Sequence, residues 1–407
     1  MSTTGPTAPT ERLFTPEFLT DPAATYAELR EDGPAYFSPT RLRWFLLDHA
    51  DVKAVLRDPR WSSQRMTTTI GARSEAMQAE LGSFAAVASR LLIFTDPPDH
   101  TRLRGLVSAA FTPRMVERMR GRITSLVSEL LNQVAPDGDM DLIADLAYSL
   151  PTAVILDILG MPVADRDRFK AWTTDIAGLL GNATLDEEAD RRGQAATLEA
   201  VDWFDTMRQN LCRCPRDDLL SALVLAETEG DRLSAEDLVG IALSLLIAGH
   251  ETTTNLIGNG TLALLRNPDQ ADRLRADPDL VDTAVEEFLR YDPPITYIGR
   301  VATEEMAVAG RVFAPGEPVS LLLGAANRDP AAYTAPDRLD IARVSNPHLS
   351  LGRGPHFCLG AVLGRLEAKI VFTVLLDRFP RLRLATEAVE WQPNFVFHGL
   401  ETLPVTW

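Results

Sequence analysis

The sequence has few cysteines, no secretory leader and no long apolar run. Cys212, Cys214 and Cys358 are its three cysteines, and so small and odd a number excludes a disulfide framework. Residues 1–10 have neither the basic start nor the apolar stretch of a secretion signal. The longest nearly unbroken apolar stretch, residues 238–249, is well short of the roughly 20 residues that a membrane span requires. We therefore expect a cytoplasmic protein that does not insert into membranes.

Positive charge is also scarce. The 407 residues include 40 basic and 57 acidic side chains, and the net charge of -17 argues against a general affinity for nucleic acid or anionic membranes. The apolar share of 45% and the charged share of 24% are typical of a globular chain. At about 150 residues per domain the length allows more than one domain, but no internal repeat or composition shift marks a boundary. We predict a flexible leader over residues 1–20 and a single domain over residues 21–407.

Helical periodicity dominates the chain. Thr112 and Pro113 suit a helix start, and apolar residues then recur every three or four positions up to Val134, which predicts a helix of about six turns. Further helical patterns cover residues 21–30, 142–159 with a break or kink at Pro151, 165–180, 187–209 and 280–290. These patterns predict a mainly α protein.

One helix is predicted to be unusually long and central. Ser234 and Asp237 have the spacing of a capping box, and no proline follows until Pro268, so a helix of more than about 30 residues can form. Short alternating stretches predict strands, whereas residues 62–90 show no regular pattern; the strand stretches are 43–47, 306–313 and 318–323. The predicted fold is mainly α with a small β subdomain and a long central helix.

The most informative segment is residues 348–369, HLSLGRGPHFCLGAVLGRLEAK. Cys358 lies among Gly352, Gly354 and Gly360, and an apolar helical pattern begins directly after it. The glycines allow the backbone to approach a flat cofactor, and a helix N-terminus favours the negative charge of a thiolate. The segment therefore predicts a thiolate metal ligand, with a buried and inert cysteine as the alternative.

A second motif, AGHETT at residues 248–253, lies within the long helix. Thr252 is four residues after Ala248, so its hydroxyl can compete for that carbonyl and open the helix locally. Glu251 beside this hydroxyl makes a plausible proton relay; the alternative is a core helix that tolerates threonines. A zinc-protease site is excluded because Thr254 stands where the second histidine would be needed.

Two pairs of charged residues have helical spacing. His100 and Arg104 are one turn apart and share a face, which suits a pair of carboxylates; a solvated helix start is the alternative. Glu287 and Arg290, three residues apart, can also pair, and such a pair alone is typical of a solvated surface.

Two other patterns do not predict sites. The glycines of GNGTLA at residues 258–263 fit a dinucleotide fingerprint formally, but they lie inside a predicted helix with no strand before it. Cys212 and Cys214 have no second pair nearby to complete a zinc site.

These motifs together resemble those of the cytochrome P450 superfamily. Residues 351–360, LGRGPHFCLG, match the family pattern Phe-Gly-x-Gly-x-His-x-Cys-x-Gly except that Leu351 replaces the phenylalanine. Residues 248–252 match the family's Ala/Gly-Gly-x-Asp/Glu-Thr motif, and Glu287 and Arg290 resemble its structural Glu-x-x-Arg pair, which we expect Arg338 to join. The resemblance implies a P450 fold around haem b, with the iron bound by Cys358.

The resemblance also implies roles for other residues. It assigns the contact with dioxygen to Thr252 and the supply of protons to Glu251. It assigns the binding of the haem to His100, Arg104, Ala248, Arg300 and His356, most of them at the propionates. The substrate pocket is expected to be apolar and to be formed by residues 91–94, Leu245, Ala248, residues 294–298 and residues 395–397.

The implied activity is that of a monomeric monooxygenase. It would insert one oxygen atom of O2 into a hydrophobic small molecule, by hydroxylation or epoxidation, in secondary-metabolite tailoring. No flavin or NAD motif is present, so a ferredoxin and its reductase are the expected electron donors. Residues 101–122 hold one acid, Glu117, and six arginines that suggest a docking face for an acidic ferredoxin, namely Arg102, Arg104, Arg114, Arg118, Arg120 and Arg122.

Three other functions stay open at this point. The same fold can use peroxide as its oxidant, although the acid and alcohol pair argues against this. A haem protein can also act as a sensor without catalysis. A haem-free hydrolase would use Cys358 as its nucleophile and His356 as its base.

Overall fold

The computed structural model describes residues 11–71, 73–181, 186–225, 227–228 and 231–407. Most of them are helical, and none of the described helices combines the length and the apolar character that crossing a membrane requires. The helices are α1 (Pro16–Thr20), α2 (Pro22–Glu31), α3 (His49–Arg57), α4 (Met66–Ile70), α5 (Glu75–Glu80), α6 (Gly82–Ala88), α7 (Asp99–Ala110), α8 (Pro113–Arg118), α9 (Arg120–Val134), α10 (Ser149–Leu159), α11 (Arg166–Gly181), α12 (Glu187–Arg213), α13 (Leu219–Leu225), α14 (Ala235–Arg266), α15 (Pro268–Ala276), α16 (Val281–Tyr291), α17 (Leu323–Ala326) and α18 (Ala361–Arg378).

The strands are short, and five of them form the largest sheet. They are β1 (Ala35–Ser38), β2 (Arg43–Leu46), β3 (Trp61–Ser62), β4 (Asp139–Asp141), β5 (Glu227–Thr228), β6 (Asp231–Arg232), β7 (Tyr297–Ala302), β8 (Met306–Val308), β9 (Arg311–Phe313), β10 (Pro318–Leu322), β11 (Arg383–Leu384), β12 (Glu390–Trp391), β13 (Leu400–Thr402) and β14 (Pro404–Thr406). The mainly α fold with small sheets that the periodicity predicted is confirmed.

The largest sheet has the order β1-β2-β10-β7-β3. Strand β10 pairs parallel with β2, with Ser320 opposite Phe45, and antiparallel with β7, with Ser320 opposite Gly299. The sheet therefore joins residues from the first fifty positions to residues near 300. It places Arg43 of β2 and Arg300 of β7 on strands that flank the same central strand.

Helix α14 is the longest of the described helices. It begins where predicted, because the Ser234 hydroxyl accepts the Asp237 amide at 3.0 Å and the Asp237 carboxylate accepts the Ser234 amide. The helix has 32 residues and packs against α10, α12, α16 and α18. Its length lets it bring one face to the large apolar core and another to the segment that contains Cys358.

The structure corrects several element boundaries. The helix expected from Thr112 to Val134 breaks at Met119, whose amide bonds the Val116 carbonyl at 3.0 Å and so tightens the turn. Helix α10 is not kinked at Pro151, because this proline lies in its first turn, where an amide has no partner in the helix. A wide turn over residues 143–147 precedes it.

The described part of the predicted leader, residues 11–20, packs against the rest of the chain. Thr15 caps α1 by accepting the Phe18 amide at 3.2 Å, and Leu13 and Phe18 are buried. Phe14 packs edge-on against Phe45. Apolar side chains in residues 11–20 hold this segment against the large sheet, while residues 1–10 lie outside the described residues. Residues 62–90, expected to be irregular, contain α4, α5 and α6.

Candidate active site

A cavity of about 420 Å³ lies between α14 and the Cys358 segment. It brings together residues that are far apart in the sequence. Among the predicted site residues it is lined by His100, Arg104, Ala248, Thr252, Arg300, His356 and Cys358. Glu251 does not line it. One cavity therefore collects the thiol, the alcohol and the basic residues that the sequence singled out.

The Cys358 segment is a tight loop that ends at α18. The Cys358 amide bonds the Leu351 carbonyl at 2.9 Å, and a short turn over Gly354–His356 precedes the cysteine. Gly354 has a φ of +71°, and a Cβ there would lie 2.7 Å from the Leu56 carbonyl oxygen, so only glycine fits. Burial raises the pKa of the Cys358 thiol, and the Gly360 amide and nearby arginines act in the opposite direction. A bound metal ion would also lower the pKa of the thiol and so favour the thiolate.

A basic group faces the same cavity. The rings of His100 and His356 are 4.0 Å apart, and the His356 Nε2 atom forms a 3.0 Å hydrogen bond with the Ser63 hydroxyl. Arg104 donates to the Phe357 carbonyl at 2.6 Å, which ties α7 to the cysteine loop. Burial lowers the pKa of His356 to about 3 and that of Arg300 to about 10. His356 is therefore neutral at ordinary pH, and Arg300 would gain from an anionic partner.

The residues present fit a haem. The His100 side chain is buried, and its Nε2 atom has no hydrogen-bond partner among the described residues. This orphaned nitrogen, with Arg104, Arg300 and His356 around it, matches the two carboxylates of a haem. The Cys358 sulfur, a group that can bind haem iron as a thiolate, lines the same cavity.

Helix α14 separates the acid from the alcohol. The Thr252 hydroxyl donates to the Ala248 carbonyl at 2.9 Å, which is the bond that the spacing predicted. Glu251 points elsewhere: its Oε2 atom is 3.6 Å from His250 Nε2, and burial raises the pKa of its carboxyl. Gly249 serves helix packing, because a Cβ there would lie 2.9 Å from Ile155 Cδ1 in α10. Of these two side chains, Thr252 lines the cavity and Glu251 does not.

The Glu287 and Arg290 pair is not on the surface. Both side chains are fully buried, and the guanidinium binds the carboxylate through two bonds of 2.8 Å. Arg343, rather than Arg338, is the second cation, with its Nε atom 3.1 Å from Glu287. Arg338 contributes only its backbone carbonyl, which accepts from Arg290 at 3.2 Å. Sequence reasoning missed Arg343 because nothing in its local pattern points to a partner so far away.

The predicted apolar walls are largely present. Residues 91–94, Leu245, Ala248 and Ile298 line the cavity, whereas Thr296 and Phe395 do not. Sequence reasoning missed a group of lining arginines that come from the β1–β2 hairpin and the residues after β3, namely Arg41, Arg43, Arg65 and Arg73. They carry no motif, and only the fold brings them to the cavity.

The two patterns set aside in the sequence are also explained. Gly260 lies inside α14, where a Cβ would be 2.7 Å from the Phe372 ring, so the glycine permits helix packing. Cys212 and Cys214 are exposed at the end of α12. Within the described ranges, no cluster of three or more His, Cys, Asp or Glu side chains could hold a metal ion.

Glu367 is a further cavity residue that the sequence did not reveal. It lies in α18, it is 1% exposed, and neither carboxylate oxygen has a hydrogen-bond partner among the described residues. Burial raises its pKa to about 8. The side chain is therefore a neutral acid at ordinary pH.

We expect Glu367→Gln to remove a pH dependence of stability. Between its ordinary pKa of 4.5 and about 8, the folded protein keeps a proton that the unfolded chain releases, so stability falls as the pH rises through this window. As the pH rises through this window, the free energy of unfolding of the variant should therefore increase relative to that of the wild type by up to about 5 kcal/mol. Urea unfolding of both proteins at pH 5 and pH 9 measures this difference. An equal change in the free energy of unfolding in the two proteins would contradict the prediction.

The chain is similar to known proteins over most of its length. The sequence model of the cytochrome P450 family matches residues 71–390. The biotin biosynthesis cytochrome P450 of Bacillus subtilis is 40% identical over 96% of this chain and 97% of its own. The 6-deoxyerythronolide B hydroxylase of Saccharopolyspora erythraea is 39% identical over 97% and 98%. The crystal structure of P450BioI in complex with hexadec-9Z-enoic acid ligated acyl carrier protein has a TM-score of 0.90 at 39% identity, covering 96% of this chain and 99% of that one. The chain therefore belongs to the cytochrome P450 family and is a haem-dependent monooxygenase that uses O2.

Proposed function

We propose that this monooxygenase hydroxylates or epoxidises a hydrophobic small molecule in the tailoring of a secondary metabolite. The supporting observation is the cavity that Cys358, Thr252 and the basic group share. Its walls at residues 91–94, Leu245 and Ile298 are apolar, which suits an apolar substrate. The 6-deoxyerythronolide B hydroxylase relative is a hydroxylase by its printed name, which supports hydroxylation as the reaction.

We assign the haem contacts to five residues. Cys358 would bind the iron of haem b through its sulfur, and His100, Arg104, Arg300 and His356 would hold the propionates. When bound, the haem activates O2, and a thiolate ligand favours O–O cleavage. Besides its proposed contact with a propionate, Arg104 donates to the Phe357 carbonyl and so stabilises the loop that contains Cys358.

The protons come from α14. Burial raises the pKa of the Glu251 carboxyl, which favours its protonated form and suits it to supply a proton. The Thr252 hydroxyl faces the cavity and delivers that proton to the oxygen side of the site. Its bond to the Ala248 carbonyl fixes the hydroxyl in position.

His356 is not positioned as a cysteine hydrolase would require. His356 would have to take a proton from Cys358, but its ring bonds Ser63 and lies against His100. The low pKa of His356 also makes it a poor base.

The absorption spectrum of the reduced, CO-bound protein tests the proposal. A thiolate ligand gives a strongly red-shifted Soret band, and a colourless protein after reconstitution with hemin would contradict the assignment. Consumption of NADPH with ferredoxin and reductase separates the monooxygenase from a sensor. Turnover with hydrogen peroxide alone would instead indicate a peroxygenase.

Thr252→Ala is expected to keep the haem and lose the coupling of electrons to product. Without the hydroxyl, proton delivery fails and reducing equivalents go to hydrogen peroxide. Product per electron should fall by on the order of tenfold or more, because a positioned proton donor contributes about a hundredfold or more. Thr252→Ser, which keeps the hydroxyl, is the matched control. Unchanged coupling in the alanine variant would place the relay elsewhere.

We propose a ferredoxin as the electron donor, with α8 as part of its docking face. Several of the arginines first considered for this face have acidic partners: Arg122 binds Asp157 at 2.9 Å, and Arg120 binds Glu117. Arg114 and Arg118 are exposed and have no ion pair among the described residues. Helix α8 packs against α18, which begins three residues after Cys358, so these two charges lie near the cysteine side.

Charge reversal at these two positions tests the docking face. In Arg114→Glu/Arg118→Glu, the KM for an acidic ferredoxin should rise about tenfold at low ionic strength, and the effect should shrink in salt. Arg213→Glu in α12 is a control with the same charge change at one exposed site. Unchanged ferredoxin kinetics in the double variant would remove α8 from the interface.

A further inference from the structure

Four small residues of α14 follow one another at intervals of one helical turn and lead along the helix to the cavity. They are Gly240, Ser244, Ala248 and Thr252, and the last three line the cavity. Ser244 precedes Thr252 by eight residues, which is about 12 Å along the helix axis. The first two of the four residues contact residues 90–94, and residues 91–94 of this segment form a wall of the same cavity.

The Ser244 hydroxyl joins this wall to α14. It accepts the Leu92 amide at 3.0 Å and donates to the Gly240 carbonyl at 2.7 Å. Leu92 is buried and begins a short turn over Leu92–Phe94. The first amides of such a turn have no acceptor inside it, and a buried amide needs one. Ser244 therefore supplies an acceptor that the turn itself lacks.

Gly240 lets the backbone of the segment approach α14. A Cβ at this position would lie 2.7 Å from the Arg90 carbonyl oxygen, so a larger residue would push the segment away from the helix. The Arg90 guanidinium also lies 3.7 Å from the Asp237 carboxylate, one turn nearer the start of α14. The segment thus meets α14 at three successive turns, and the contact nearest to Thr252 is the hydrogen bond of Ser244.

The wall itself is compact. The Leu92 carbonyl accepts from the Thr95 hydroxyl at 3.0 Å, and the Phe94 amide donates to the Leu91 carbonyl at 2.8 Å. The side chains of Leu91 and Phe94 are buried on either side of Leu92. Because these bonds connect the residues to one another, the bond that fixes Leu92 also fixes the position of the whole wall.

We propose that Ser244 is a positioning residue for substrate specificity, which holds Leu92 and so fixes the wall over residues 91–94 about two turns of α14 away from Thr252. A substrate that fits between the wall and Thr252 leaves the hydrogen bond intact. A longer substrate must break this bond to move the wall, so the enzyme selects against it. This inference rests on the proposed function, because it concerns the substrate of the same cavity.

Two azoles of different length test the role of Ser244 on the haem-loaded protein. Imidazole is too short to reach the wall, whereas 1-dodecylimidazole has a chain long enough to displace it. In Ser244→Ala, the dissociation constant of 1-dodecylimidazole should fall about fivefold or more, because this ligand no longer has to break a hydrogen bond. The dissociation constant of imidazole should not change. Titrations followed by absorbance measure both constants.

Hydrogen exchange of the Leu92 amide is a second readout, and it requires neither azole. Ser244→Ala should accelerate this exchange about tenfold, because the amide loses the acceptor that protects it. Gly240→Ala keeps the serine but displaces the Arg90 carbonyl, so it should accelerate the exchange as well. This second variant keeps the test open if Ser244→Ala does not fold.

Two further variants serve as controls. Ser244→Thr keeps the hydroxyl and should retain both the slow exchange and the wild-type affinity for 1-dodecylimidazole. Ser89→Ala removes an exposed hydroxyl that donates to the Ala85 carbonyl at 2.7 Å, just before the wall, and should also change neither quantity.

Three results overturn the proposal: an unchanged affinity for 1-dodecylimidazole in Ser244→Ala, a weaker affinity in that variant, or unchanged exchange of its Leu92 amide. The CO spectrum of the same preparations distinguishes these results from a failure of the proposed function, which would show as absent haem or an unshifted band. The exchange measurement does not depend on haem, so it tests the contact between Ser244 and Leu92 in either case.

Discussion

Cys358→Ala is expected to abolish monooxygenase activity completely. We assign the iron to the Cys358 sulfur, because a thiolate donates electron density to the iron, and alanine offers no ligand. Any haem that the variant retains through His100, Arg104, Arg300 and His356 should lack the red-shifted Soret band of the CO complex. The measurement is that spectrum together with product formation under ferredoxin-driven turnover.

The other two cysteines are natural controls for this experiment. Cys212 and Cys214 are exposed, so Cys212→Ser/Cys214→Ser should keep both the spectrum and the activity. Product formation by Cys358→Ala, or loss of the band in the double serine variant, would contradict the assignment of the ligand.

Glu287→Gln is expected to destabilise the protein by about 3–5 kcal/mol, the range for removal of one partner from a buried ion pair. The carboxylate accepts from Arg290, Arg343, the Asp340 amide and Asn346. Glutamine has the same shape, but its amide nitrogen cannot accept from a guanidinium. Two buried cations would then face a neutral group. Since whole domains are stable by about 5–15 kcal/mol, this is a large fraction of the total.

The same change should weaken haem retention. Arg290 also donates to the Asn327 carbonyl at 3.0 Å, and the Asn327 side chain accepts the Leu349 amide at 2.8 Å, just before the cysteine loop. The network thus supports the loop that carries Cys358.

Urea unfolding and the haem content of the purified protein measure the two effects of Glu287→Gln. Asp282→Asn, on the same helix, is the matched control, because its pair with Lys369 is exposed and worth about 0–1 kcal/mol. Equal unfolding curves for the two variants would show that the buried network is not what holds the loop.

Local rules were sufficient for the long elements and for the motifs. The start of α14 could be predicted because Ser234 and Asp237 carry its capping box within three residues. The bond from Thr252 to Ala248 could be predicted because it joins residues one helical turn apart. The break at Met119 could not, because the apolar repeat continues on both sides of it.

Long-range partners were beyond the reach of sequence reasoning. Arg343 pairs with Glu287 across 56 positions, and Arg41 and Arg43 meet the cavity only because β2 pairs with β10. The short helices α4, α5 and α6 have too few turns to show a period. The packing of Phe14 was also missed. A segment rich in polar residues gives no local sign of where its few aromatic rings are buried.

The position of Phe14 matters for redesign of the enzyme. Its ring touches Tyr297 and Phe395 and lies against the Arg41 guanidinium, so residues 11–20 support the side of the cavity that Arg41 and Tyr297 line. The iron-binding loop lies near the other end of the chain. Libraries aimed at new substrates can therefore vary residues 11–20 and the β1–β2 hairpin while leaving the catalytic loop and its support untouched.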